Sequence, residues 1–132
     1  MKQYKFGKNQ RPKYYLPPGN YRVRIKDARS AISPSGNEMI RLELVEPELG
    51  VQLRDQLVLT DNCFWKVDEF CRCFDLGFEE GDSPTFDQEF VDSLPGLTGT
   101  VRIKDEQFNG STVSKIKAYL PAEESELVRD EE

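Results

Sequence analysis

The sequence contains no histidine and only three cysteines among its 132 residues. The first absence removes the commonest general base and the commonest zinc ligand together. An odd number of cysteines (Cys63, Cys71 and Cys73) argues against a disulfide framework, and three thiols without a histidine do not complete a tetrahedral metal site. We therefore interpret the cysteines as reduced, buried thiols and expect no metal or other cofactor.

Long apolar runs and catalytic motifs are also missing. No stretch approaches the ~20 apolar residues that cross a bilayer, and the first residues hold no apolar signal core, so we expect a cytoplasmic protein with no membrane partner. No phosphate-binding glycine loop, nucleophile elbow or EF-hand spacing occurs. Asp27, Asp55 and Asp105 would bind Mg²⁺, as in a metal-dependent nuclease, only if the fold gathered them. We expect a protein that is not an enzyme.

The net charge of −6 conceals an uneven distribution. Residues 1–15 hold five basic residues and no acidic one, whereas residues 121–132 hold six acidic residues against Arg129. Between them lies a moderately acidic body. We predict a flexible basic N-terminal arm (1–15), a folded domain (16–120) and a disordered acidic C-terminal tail (121–132).

Hydrophobic periodicity predicts the elements of the folded domain. Period-two alternation predicts strands over 21–26, 39–45, 51–59, 97–104 and 112–120. Helical spacing predicts a helix over 63–74, capped by Asp61 or Asn62, and a loop with one short helix near 87–93 follows. Asn109-Gly110 predicts a tight hairpin turn. Three strands, a helix and two strands are the element order of the OB fold, so we predict a mainly β, five-stranded OB-fold-like barrel with one helix between strands 3 and 4.

Basic residues occupy the outward positions of several predicted strands, and aromatic residues lie near them. In an OB barrel the first strand pairs with the fourth, so the bases would form one track for a phosphate backbone, on which aromatic rings stack bases. The alternative is a merely solvated face. Trp65 either stacks on bases or packs partly buried against the core, and the second interpretation is the one we favour. The candidate nucleic-acid contacts are Lys13, Tyr14, Tyr15, Arg22, Arg24, Lys26, Arg41, Arg102, Lys104, Phe108, Lys115 and Lys117.

Short motifs give the sequence a family resemblance. They are residues 16–25 (LPPGNYRVRI), 33–40 (SPSGNEMI), 56–59 (QLVL), 64–66 (FWK), 108–110 (FNG), 115–117 (KIK) and 120–121 (LP). In this order they resemble a family of short phage and prophage proteins that are similar to single-stranded DNA-binding proteins and are encoded among recombination and replication genes. The resemblance spans residues 16–121. It implies an OB fold and sequence-tolerant binding of single-stranded DNA, in the host cytoplasm if a phage encodes the chain, and it assigns no contact residue.

Two hypotheses follow. The first is a sequence-independent single-stranded DNA-binding protein that protects DNA during phage replication and recombination, with replication or recombination proteins as partners of the acidic tail. The tail ends Asp130-Glu131-Glu132 rather than in the bulky apolar residue typical of bacterial single-strand binders, which counts against that recruitment. The second is an acidic adaptor or inhibitor that mimics nucleic acid on a DNA-processing enzyme. Both leave the oligomeric state open, a homo-oligomer included.

Overall fold

The computed structural model describes Gln3 and residues 15–122. This part is mainly β, with strands β1 (Gly19–Ile32), β2 (Glu38–Glu46), β3 (Val51–Val58), β4 (Thr98–Phe108) and β5 (Ser111–Tyr119). Two helices, α1 (Phe64–Cys73) and α2 (Gln88–Asp92), lie between β3 and β4. Nearly all of the predicted arm and tail, including the candidate contacts Lys13 and Tyr14, lies outside the described residues.

The five strands form one antiparallel sheet in the order β3-β2-β1-β4-β5. The long central strand β1 pairs with two neighbours. Residues from Gly19 to Arg24 pair with β4, and residues from Arg24 to Ile32 pair with β2. The ladder to β2 is interrupted by a bulge between Ile25 and Asp27. Because a bulge bends a strand and increases its twist, it lets β1 turn from one half of the sheet into the other.

The edge strands β3 and β5 meet through side chains, and no backbone ladder joins them within residues 15–122. The Tyr119 hydroxyl donates a hydrogen bond of 2.5 Å to one carboxylate oxygen of Asp55. The Lys66 ammonium on α1 donates to the other oxygen at 2.8 Å and to the carbonyl of Gln56 at 2.9 Å. A buried carboxylate is tolerated when its oxygens are paired in this way. This polar cluster joins the two edges of the sheet by side chains alone, so within residues 15–122 the predicted barrel is not closed.

The hydrophobic core lies between the curled sheet and the two helices. α1 buries Val67, Phe70 and Cys73, which share one face of the helix because they are spaced three residues apart. The Phe70 ring packs against Phe74 and Tyr119, with ring centroids 4.8 and 5.4 Å apart. Each buried side chain of this size contributes about 1.5–3 kcal/mol. The same aromatic cluster that fills the core thus positions the Tyr119 hydroxyl at the β3–β5 seam.

Helix α1 approaches β4 closely because residue 99 is glycine. A Cβ atom at Gly99 would lie 2.6 Å from the Cys73 sulfur and 3.2 Å from the Cys73 carbonyl oxygen. The Cys73 thiol donates to the carbonyl of Thr100 at 3.3 Å, and burial raises its pKa to about 12. All three cysteines are free, but only Cys73 is fully buried; Cys63 and Cys71 are half-buried, so the prediction of three buried thiols is wrong for two of them.

The predicted order of elements is confirmed, while several boundaries differ. β1 continues to Ile32 and β4 to Phe108, because each belongs to a hairpin whose ladder runs on toward the turn. Asn109 (φ 50°) and Gly110 (φ 80°) have the two positive φ angles of a type I′ turn. α1 follows a 3₁₀ turn at Asp61–Cys63 and has no side-chain cap, so the predicted capping residue is wrong.

Two kinds of feature are missing from the described residues. No helix there is both long and apolar enough to cross a bilayer. No three side chains among the histidine, cysteine, aspartate and glutamate residues of that part are grouped so as to hold a metal ion.

Candidate nucleic-acid interface

The outward bases of three adjacent strands share one face of the sheet. In β1, Arg22 and Arg24 are exposed and alternate with buried apolar residues. Register then carries this face across the sheet, because Asn20 lies opposite Arg102, and Lys104 lies opposite Lys115. Residues paired in a ladder point to the same side. We call Arg22, Arg24, Arg102, Lys104 and Lys115 the basic face.

The charges of the basic face are only slightly neutralised by protein groups. Arg22 donates to the Thr98 hydroxyl at 2.9 Å, and Arg102 donates to the side-chain oxygen of Asn20 at 3.3 Å; both acceptors are neutral. Within residues 15–122, the one acidic partner of this face is Glu106, 3.2 Å from the Lys115 ammonium. Both members of that pair are about half exposed, and such pairs contribute little to stability. The cations thus remain available to an incoming anion.

An exposed aromatic ring continues the basic face toward the tip of the β4–β5 hairpin. Phe108 ends β4 and is 63% exposed, next to the Asn109-Gly110 turn. Side chains alternate along a strand, so Phe108 points to the same side as Lys104. A ring in this position is able to stack with a nucleobase while neighbouring cations contact phosphates.

Tyr15 lies on the other side of the same hairpin. Its hydroxyl donates to Asp105 at 3.0 Å, and this hydrogen bond raises the pKa of Tyr15. The next residue, Leu16, donates its backbone N–H to the Ser114 hydroxyl at 2.6 Å. Asp105 and Ser114 are register partners that point away from Lys104 and Lys115, because neighbouring residues of a strand point to opposite faces. The structure therefore separates Tyr15 from the basic face.

Register does not pair the three other candidate bases with the basic face. Lys26 occupies the bulge of β1. Lys117 occupies a second bulge in β5, between Ala118, which pairs with Arg102, and Ile116, which pairs with Ile103. Arg41 of β2 lies opposite Arg29, which itself forms a 2.8 Å ion pair with Asp27. A bulge re-aims the side chain at the extra position, so strict alternation does not predict where Lys26 and Lys117 point.

Exposed aromatic residues on α1 were not among the predicted contacts. Trp65 is 61% exposed, so its interpretation as a packing residue is wrong, and the preceding Phe64 is 39% exposed. The signal in the sequence is that neither residue belongs to the buried stripe of Val67, Phe70 and Cys73. Arg29 was also not among the predicted contacts, because its position opposite Arg41 depends on the register of the β1–β2 ladder.

Comparison with known proteins assigns no family or function to the chain. No protein-family model matches the chain, and no curated protein is significantly similar to it. The basic face and Phe108 are therefore the features that bear on function, and the family resemblance of residues 16–121 stays a prediction.

Proposed function

We propose that this protein binds single-stranded DNA without regard to sequence and protects it during phage replication and recombination. The observation that carries the proposal is the basic face, with Phe108 aligned at its end. A row of cations on a sheet surface can contact successive phosphates of a nucleic-acid backbone. An exposed aromatic ring can stack with any base. A continuous strand of nucleic acid satisfies both features at once.

The sheet order supports the same proposal. A five-stranded OB barrel has its helix between the third and fourth strands and is commonly only partly closed. The order β3-β2-β1-β4-β5, with β3 and β5 brought together by Asp55 and Tyr119, agrees with a barrel of this kind whose seam lies between those strands. We infer an OB-type fold that is open at this seam.

Sequence-independent binding follows from the types of side chain involved. Arginine and lysine on the basic face would contact phosphate oxygens, and such contacts fix position without reading base identity. Stacking on Phe108 is equally tolerant, because every base has a π-face. Single strands are preferred over duplex because only unpaired bases are free to stack on the ring.

Fluorescence anisotropy of a labelled oligo-dT of about 30 nucleotides tests the proposal, since this length covers two or more typical OB sites. If all five cations of the basic face contact phosphates, log K should fall with log salt with a slope of about −3.5. Excess duplex DNA should not displace the oligonucleotide. Absence of binding at low salt, or displacement by equal amounts of duplex, would overturn the proposal.

The acidic adaptor or inhibitor remains the second candidate function, and one observation favours it. Five acidic residues surround the end of α1 and the segment that follows it: Asp68, Asp75, Glu79, Glu80 and Asp82. An acidic surface can imitate nucleic acid on the enzyme that it binds. Capture of a purified nuclease or recombinase by a chain that ignores DNA would replace the first proposal with this one.

A further inference from the structure

A groove of about 920 Å³ lies between α1 and the segment that follows it, and no residue of the basic face lines it. Its apolar lining residues, which we call its floor, include Phe64, Val67, Phe78 and Phe86. Phe64 and Phe78 are 39% and 43% exposed there, and the Phe78 ring stacks on Phe90 with centroids 6.4 Å apart. The neighbouring Phe86 ring packs edge-on against Phe90 at 4.9 Å. Exposed aromatic surface held in place by other rings is typical of a binding groove.

The charged residues that line this groove, which we call its rim, are mostly acidic. It carries the five acidic residues named above against one base, Arg72, which already forms a 3.1 Å ion pair with Asp68. Glu79 and Glu80 are exposed, and neither side chain has a partner among the described residues. An apolar floor with an acidic rim selects a segment that combines cations with aromatic or aliphatic side chains.

We propose that the groove binds the N-terminal arm of its own chain, residues 1–14. The arm carries Lys2, Lys5, Lys8, Arg11 and Lys13, without an acidic residue. Tyr4 and Phe6 lie among these cations and supply aromatic rings for the floor of the groove. The charge and the apolar character of the arm therefore complement those of the groove.

The arm is long enough to reach the groove. Leu16 is held at Ser114 by two hydrogen bonds, of 2.6 and 2.8 Å. From Ser114 the chain runs along β5 to Pro121, which lines the groove. The seven steps from Ser114 to Pro121 cover ~23 Å at strand rise, whereas the nine steps from Tyr15 back to Phe6 extend to ~30 Å. Attachment to the same chain also gives the arm a high effective concentration at the groove.

This docking deepens the proposed function and has one consequence that depends on it. The bases that occupy the groove are also able to neutralise phosphates. Single-stranded DNA would then compete with the groove for the arm, and binding of DNA would release it. The docking itself requires no DNA, so it is tested separately.

Carbodiimide cross-linking of the full chain tests the docking, because this reagent joins lysine and carboxylate side chains only when they are in contact. At low salt and without DNA, we expect amide links from Lys2, Lys5 or Lys8 to Glu79, Glu80 or Asp82, identified by peptide mass spectrometry. A mixture of isotopically labelled and unlabelled protein should place the links within one chain. The links should disappear at about 0.5 M salt, where exposed charges are screened.

Two variants of equal charge change make the test specific. Glu79→Lys with Glu80→Lys reverses the rim, and Glu38→Lys with Glu48→Lys reverses two exposed acids that do not line the groove. We expect the rim variant to lower the arm-to-Asp82 link at least about five-fold and the control to leave it within about two-fold, because opposite charge at the site supplies the attraction. Links confined to the tail acids, equal reaction at Glu38 and Glu48, links only between chains, or no link at all would overturn the proposal.

Discussion

The basic face and the acidic groove are built on different scaffolds. The basic face stands on three hydrogen-bonded strands, where pairing fixes the spacing of Arg102, Lys104 and Lys115. The groove is formed by one helix and the irregular segment 75–86, whose backbone has fewer such constraints. The net charge of −6 therefore hides a separation of charge on the surface. The fold places cations together on the sheet and acidic residues together beside α1.

The largest expected effect comes from reversing two charges on the basic face. Lys104→Glu with Lys115→Glu should weaken oligo-dT binding by about 100-fold at low salt and make the salt slope shallower by about 1.4, because two phosphate contacts are lost. Anisotropy measures both quantities. Glu79→Lys with Glu80→Lys is the opposite reversal in the groove, and it should leave binding unchanged or tighter. Equal and opposite effects of the two variants would mean that total charge, rather than the basic face, controls affinity.

A second comparison concerns two tyrosine–aspartate hydrogen bonds in different surroundings. Tyr119→Phe removes the buried donor to Asp55 and should lower the free energy of unfolding by about 2–3 kcal/mol, since a charged acceptor loses a partner away from water. Tyr15→Phe removes the exposed donor to Asp105 and should leave the free energy of unfolding nearly unchanged, because water replaces the lost partner. Urea unfolding measures both. Similar losses would show that Asp55 is not the group that holds the seam.

Two exposed aromatic residues allow the basic face to be separated from α1. Phe108 and Trp65 are 63% and 61% exposed, so their truncation removes comparable accessible rings. Phe108→Ala should weaken oligo-dT binding by about ten-fold, within the range for one lost base stack. Trp65→Ala should change the affinity for oligo-dT less than about two-fold. Trp65 is the single tryptophan of the sequence, and in the unmutated protein DNA should not quench its fluorescence. The reverse ranking would move the interface to α1.

The smallest effect is confined to alkaline pH. Burial raises the pKa of the Cys73 thiol from 9.0 to about 12, and burial together with Asp55 raises the pKa of Tyr119 well above its usual 10.0. Both groups therefore keep their protons longer in the folded state. Their stabilisation is complete below about pH 9 and is lost as the pH rises toward about 12. Thermal melts should show this decline, and Tyr119→Phe should make it shallower; a melting temperature that is flat up to pH 12 would contradict the assignment.

Local patterns predicted much of this architecture. Alternation identified all five strands, and Asn109-Gly110 identified the hairpin, because both signals depend on neighbouring residues. Pairing of β1 with β4 followed from the expected topology and is confirmed. These features bring Arg22, Arg24, Arg102, Lys104 and Lys115 to one face, as the sequence predicts.

Features that depend on irregular or distant structure were not predicted. One extra residue in a strand reverses the alternation, so the positions of Lys26 and Lys117 depend on bulges that carry no clear sequence signal. The exposure of Trp65 depends on what α1 packs against. The acidic groove combines α1, segment 75–86 and Pro121, and no local pattern brings these parts together.

The division of β1 between two partners has a consequence for folding. The β1–β2 and β4–β5 ladders each join neighbouring segments, whereas the β1–β4 ladder joins Gly19 to Ile103 and Arg24 to Thr98, across most of the chain. Because closing a long loop costs entropy before any contact forms, the two hairpins should form first and the β1–β4 ladder last. Arg22 and Arg102 lie on opposite sides of that ladder. During refolding, affinity for DNA should therefore appear only in the final, slowest phase, after most strand structure has already formed.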